Sequence, residues 1–278
     1  MRKVNDKGQT LEEFLAAYNP RDYERPSVTV DIMVLAMSKE LDRLRVLLIR
    51  RKNHPCIDCW AIPGGFIDID ESAYHAALRE LKEETNLTDV YMEQLYTMSQ
   101  PDRDPRMRVI DLAYMALLPF GSNAVNQVKA GDDAADALWF DVTFTNNELT
   151  LRNEERNITI SYDLEEKHFK NGVITVRNYI PVLKSEEAVA FDHSEILLEG
   201  LMRLRNKVEY SDVAFNLVDK KFTLADLQKV YEVILGKKLY KTNFKEKINH
   251  KIVAHDEKGT SITGKKKAQL YSYKGGVK

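Results

Sequence analysis

The chain has 278 residues, 41 basic and 43 acidic side chains, 44% hydrophobic residues, 12 Gly and 8 Pro. Such a composition excludes disorder, a collagen-like fibre and a disulfide scaffold, and the length suffices for one large domain or two ordinary ones. The net charge of -2 conceals an asymmetry: residues 211–278 hold 15 Lys, no Arg and 7 acidic residues, so they carry +8 against -10 for the rest.

The N-terminal stretch MRKVNDKGQTLEEF lacks the apolar core of a secretory signal. Apolar runs such as Ile32–Met37 are far shorter than the ~18 residues of a membrane span, so a cytoplasmic location with no membrane partner is expected. Ser27–Met37 and Arg43–Ile49 are aliphatic runs separated by a polar turn, the pattern of two strands. After a loop containing Pro55 come Trp60–Phe66 and then a long helical segment. Trp60 is expected in the core, and Cys56 and Cys59 as reduced thiols in a surface loop. Arg108–Leu118 and Asp136–Val142 read as further strands, which makes the class α+β. Leu149–Arg152, Asn157–Tyr162 and Val173–Tyr179 alternate apolar and polar residues, with Asn171-Gly172 as a hairpin signal, so a β-rich insertion is expected over about 143–184. Asp192–Lys207 predicts a helix leading into the basic region. The charge break near Ser211 predicts a boundary between domains over 1–210 and 211–278.

The segment GGFIDIDESAYHAALRELKEETNL, from Gly64 to Leu87, carries the clearest chemistry. A helix is expected to start near Asp70 or Ser72, and Glu80, Glu83 and Glu84 at i, i+3, i+4 share one of its faces. An exposed acidic helix would account for three glutamates alone. Like charges this close repel, however, and a hard divalent cation removes the conflict. Glu71 at the helix entry can reach the same cluster, Arg79 can orient the carboxylates, and Gly65 lets the backbone approach a ligand.

Taken together, Gly65, Glu71, Arg79, Glu80, Leu81, Glu83, Glu84 and Leu87 resemble the Nudix box in type and spacing. Asn86 stands where the box has its last glycine, and Asn is the next most tolerant residue in the left-handed conformation. The resemblance implies an α/β/α sandwich that cleaves the pyrophosphate of a nucleoside diphosphate derivative. Glu80, Glu83 and Glu84, with Gly65, would then bind Mg²⁺ or Mn²⁺. Glu80 and Glu84 are both candidates for the base, and Arg79 and Glu71 belong to the same catalytic set. Asp102–Arg106 (DRDPR) resembles a loop of Nudix proteins tied to ADP-ribose, with Arg103 and Arg106 placed to contact phosphate or ribose. Ile110-Asp111 replaces the Val-Ser pair that often follows this loop. Arg50 and Arg51, ending the second strand, are further candidates for the phosphate.

In the basic region, Thr223–Gly236 reads as a helix with a Thr223/Asp226 capping box and Gly236 at its end. A second helix is expected over about Asn243–Ile252, then a hairpin with the strand Leu270–Tyr273. Two short helices and a lysine-bearing hairpin look like a winged helix. Asn243, Lys245, Lys247 and Lys251 would enter the major groove, with Lys265, Lys266 and Lys267 on phosphate. A basic docking module is the other reading.

The combination resembles the Nudix-related transcriptional regulators, and Phe191-Asp192-His193 and Ala214–Leu217 resemble their junction motifs. The leading expectation is a metal-dependent hydrolase of an ADP-ribose-like compound, fused to a module that binds double-stranded DNA. The alternative is a transcriptional regulator whose Nudix domain senses a metabolite without cleaving it. A homodimer is expected by analogy, since a two-fold operator needs two copies of the reader.

Overall fold

The computed structural model describes residues 3–119, 134–262, 264 and 267–276. At its centre lies β1 (Ser27–Met37), buried from Thr29 onwards. It pairs in parallel with β6 (Val109–Leu118) and antiparallel with β2 (Leu44–Arg51). A strand covered on both faces has no solvent side, which explains its nearly unbroken aliphatic run. Val30, Ile32 and Val34 pack with Ala76, Ala77 and Leu81 of α2 (Ala73–Thr85). Met33, Leu35 and Met37 join the opposite core with Ile196, Leu197 and Leu201 of α3 (His193–Tyr210). The result is the expected α/β/α sandwich.

β3 (Trp60–Ala61) pairs with β2, and β4 (Gly64–Phe66) with β1. β5 (Tyr91–Met98), which the sequence reading did not anticipate, is the edge strand beside β6. On the other side β7 (Ala134–Phe144) pairs with β2. The three strands expected over about 143–184 are β8 (Glu148–Asn153), β9 (Ile158–Asn171) and β10 (Ile174–Leu183), and they continue the central sheet outward from β7. Asn171-Gly172 does form the β9–β10 turn, with Gly172 at φ +62°. A seven-residue helix, α1 (Leu11–Ala17), was also unanticipated; its Thr10/Glu13 capping box is complete and none of its residues is buried.

Trp60 is 2% exposed and meets Phe140 edge-on with ring centroids 5.0 Å apart, so it is a core residue. Cys56 and Cys59 are free and half-buried. Among the described residues no helix is long and apolar enough to cross a membrane.

The C-terminal part is a winged helix. α4 (Leu224–Leu235) has the Thr223/Asp226 capping box and ends at Gly236 in the left-handed region, as its sequence requires. α5 (Lys241–Asn249) stops before Ile252, which opens β12 (Ile252–Thr260) and lies opposite Tyr273 of β13 (Lys267–Tyr273). β11 (Phe222–Thr223) completes the small sheet. Leu201, Leu204 and Val208 of α3 share one apolar core with Leu227, Tyr231 and Phe244. Arg205 of α3 donates to the Ile234 and Phe144 carbonyls, both at 3.1 Å. Thus one helix is common to the sandwich and the winged helix.

Candidate functional site

Helix α2 is fixed at both ends by its own sequence. Ser72 accepts the His75 amide at the N-cap, and Asn86 adopts φ +60° at the C-cap, the conformation its box position demands. Successive residues turn by about 100°, so Glu84 lies to one side of Glu80 and Glu83 to the other, beside Arg79. The structure separates the three carboxylates accordingly. Glu80 and Glu84 face a cavity of about 490 Å³ between α2, β1, β2, β4, the 99–108 loop and the start of α3. Glu83 is exposed and accepts from Arg79 at 3.2 Å.

Arg79 organises the cluster. It pairs with Glu71 at 2.6 Å and Glu80 at 2.7 Å, and donates to the Phe66 carbonyl at 3.0 Å. Backbone runs close beneath: a Cβ on Gly65 would collide with the Glu80 carboxylate, and one on Gly64 with the Val30 carbonyl. Glu84 accepts the Gly64 amide at 2.8 Å. Burial nevertheless pushes the Glu84 carboxyl up to about 8, with the Glu80 and Asp31 charges adding to the effect. Burial also raises Glu80, although Arg79 opposes it. Among the described residues no three Asp, Glu, His or Cys side chains converge as a ready-made metal cage.

Of the candidate phosphate ligands, Arg51, Arg103 and Arg106 line the cavity. Arg50 does not reach it. Strand alternation turns Arg50 to the other side of β2, where it meets the Asp58 carbonyl at 3.3 Å. Arg51 donates to the Pro55 carbonyl at 3.0 Å and lies 5.1 Å over the Phe191 ring. Arg106 is paired with Asp104 at 2.7 Å. Arg103, only 5% exposed, grips Asp192 with two bonds of 2.8 and 2.7 Å and stands 3.5 Å from Asp31.

Those acidic partners were not anticipated as site residues. Burial works against ionisation of Asp31, yet His193 and Arg103 beside it outweigh that and hold its carboxyl below the usual range. Burial and the Asp31 charge push neighbouring Asp111, where Ser is expected from the resemblance, well above it. His193 Nδ1 accepts the Ile62 amide at 3.1 Å while its Nε2 faces Asp31 at 3.5 Å. Asp31 did leave a signal, the lone charge inside an aliphatic strand.

On the winged helix, Asn243, Lys245 and Lys247 are exposed along α5, and Lys267 at the start of β13. Lys247 reaches over the Tyr231 ring at 5.7 Å. Lys251 is turned inward to Asp212 at 2.6 Å, whose other oxygen accepts the Tyr273 hydroxyl at 2.6 Å. It is therefore engaged in holding the fold rather than presented with the exposed lysines. Lys265 and Lys266 lie outside the described residues.

Comparison with known proteins agrees with both parts. Residues 25–161 match the family model of the NUDIX domain, and 214–273 that of the NrtR DNA-binding winged helix domain. The chain is 30% identical to the ADPR responsive transcriptional repressor NtrR of Acinetobacter baylyi over 94% of its own length and 88% of that protein's. It is 38% identical to an ADP-ribose pyrophosphatase of Methanocaldococcus jannaschii over 55% of this chain and 79% of that one. The crystal structure of Shewanella oneidensis NrtR complexed with a 27mer DNA superposes with a TM-score of 0.64 at 28% identity, covering 89% of this chain and 93% of that one.

Proposed function

This chain belongs to the Nudix-domain transcriptional regulators that carry an NrtR winged helix, and from that premise we propose a DNA-binding regulator whose cavity binds an ADP-ribose-like nucleoside diphosphate derivative. The carrying observation is that Arg51, Arg103 and Arg106 face one cavity at the start of α3, the helix whose far end packs on the winged helix. Guanidinium forks suit a diphosphate, and the cavity is wide enough for a nucleotide-sized ligand. The proposed partner of Asn243, Lys245, Lys247 and Lys267 is double-stranded DNA, read by a homodimer in the cytoplasm.

Carboxylate oxygens suit a hard divalent cation such as Mg²⁺ or Mn²⁺. Glu80 and Glu84 would hold it, with the Gly65 backbone beside them; Glu83 joins only by leaving Arg79. When bound, such an ion neutralises diphosphate charge and activates water. Turnover is the second reading, favoured by the complete set: Glu71, Glu80 and Glu83 around Arg79, with Glu84 beside them on the Gly64 amide. There Arg79 orients Glu71 and Glu80, and Glu80 or Glu84 takes the proton from water.

Calorimetric titration with ADP-ribose, alongside AMP release with Mg²⁺ or Mn²⁺, tests the proposal. Binding without AMP release supports a sensor. Release that is lost in Glu83→Gln supports a hydrolase. Absence of binding in wild type contradicts both.

A further inference from the structure

Asp192 occupies the N-cap of α3, a position where a carboxylate ordinarily accepts amides of the first helical turn. It makes no such bond: Arg103 takes both of its oxygens at 2.8 and 2.7 Å, and its backbone, at φ -97° and ψ 18°, is off the extended conformation of a capping residue. The residue before it, Phe191, is held at φ +50°, an uncommon conformation for a side chain of that size, and lines the cavity with Arg51 stacked on its ring. The residue after it, His193, is anchored to the Ile62 amide of the cavity wall. Three consecutive residues therefore join the cavity to the first turn of α3.

We propose that Asp192 is a two-position switch, bound either to Arg103 or to the N-terminus of its own helix, and that a diphosphate ligand throws it. This rests on the reading that an ADP-ribose-like diphosphate enters the cavity. Arg103 already contacts the cavity and carries two carboxylates, Asp192 and Asp31. A diphosphate offers the same fork a competing pair of anionic oxygens. The His193 and Glu195 amides already donate to the Ala190 and Asp192 carbonyls at 3.1 and 2.9 Å. Once Arg103 turns to the ligand and the Asp192 backbone swings to the extended conformation of a cap, the freed carboxylate therefore has the Ser194 amide as its alternative donor. The first turn is then tied to the helix instead of the cavity loop. Its far end, bonded through Arg205 to the Ile234 carbonyl, carries the change to α4. Such an element has two discrete arrangements that the ligand biases, which is what coupling between distant sites requires.

The test uses the full chain, ADP-ribose, and the variants Asp192→Asn and Asp192→Ser. Both side chains are good N-caps, and neither forms the charged fork with Arg103. Expected are ADP-ribose affinities about fivefold tighter than wild type, because no carboxylate has to be displaced. Amide exchange adds a second readout. In wild type ADP-ribose slows exchange at the Ser194 amide, whereas in the variants this amide is already protected without ligand. Either variant suffices if the other fails to fold. Variants that bind ADP-ribose no tighter than a responding wild type, with unchanged first-turn exchange, overturn the switch alone. A wild type that does not bind ADP-ribose overturns the ligand reading and the switch with it.

Discussion

The Glu84 carboxylate accepts the Gly64 amide at 2.8 Å, tying α2 to the strand β4 twenty residues earlier in the chain. One bond is not enough to keep it ionised in so buried a place, and its carboxyl titrates near 8 instead of the ordinary 4.5. The folded chain therefore takes up a proton that the unfolded chain releases between those values. The stability contributed by protonated Glu84 is complete below about pH 4.5 and is lost as pH rises through about 8.

Replacing Glu84 by Gln removes that loss while leaving an oxygen for the Gly64 amide. In a chelator-containing buffer, thermal unfolding of Glu84→Gln should match wild type near about pH 4.5, pull ahead of it as pH rises, and exceed it by at least about 5 °C from about pH 8 upward. A difference that is constant across this range would show that Glu84 does not titrate there.

Gly64 and Gly65 make opposite predictions although they are adjacent. A Cβ at Gly64 runs into backbone, the Val30 carbonyl, which cannot yield. Gly64→Ala should cost about 3 kcal/mol, seen as a lower denaturation midpoint. At Gly65 the obstacle is the end of the Glu80 side chain, which can swing aside. Gly65→Ala should fold normally and bind Mn²⁺ about tenfold more weakly by calorimetry. Equal stabilities for the two variants would contradict this distinction.

Asp212 joins Lys251 and Tyr273 and so fastens β13 to the turn after α3. Asp212→Asn should lower stability by about 1–2 kcal/mol, and Lys251→Met by a similar amount. Lys245→Ala and Lys247→Ala should leave stability unchanged, weaken duplex binding, and each reduce its salt slope by about 1. Comparable loss of DNA affinity without destabilisation in Lys251→Met would return Lys251 to the DNA-facing group.

These contrasts mark where sequence stops informing. Helix α2, its caps and strand β1 were legible because short-range spacing and a continuous apolar run determine them. The position of Asn86 was legible for the same reason, as a residue tolerant of left-handed backbone. Glu83 shared a helical face with Glu80 in the spacing, but which shoulder faces the cavity depends on Arg79 and the sheet beneath. Arg50 and Arg51 could have been separated by parity, since Leu47 and Ile49 point the same way as Arg51. The pairing of Arg103 with Asp192, 89 residues apart, leaves no local trace. Helix α1 did carry a local signal, its Thr10/Glu13 capping box, but not the apolar stripe of a longer helix, and the alternation of β5 is diluted by its exposed residues.

The central claim, a cavity that governs a DNA-binding module through α3, is tested most directly by one titration. Anisotropy would follow binding of the full chain to a duplex that it has itself selected from a random pool, at fixed salt, with and without saturating ADP-ribose. The account predicts that ADP-ribose changes DNA affinity by at least about fivefold, and that Asp192→Asn without ligand already binds DNA as ligand-bound wild type does. Identical DNA affinities with and without ADP-ribose, in a chain shown to bind both, would contradict it.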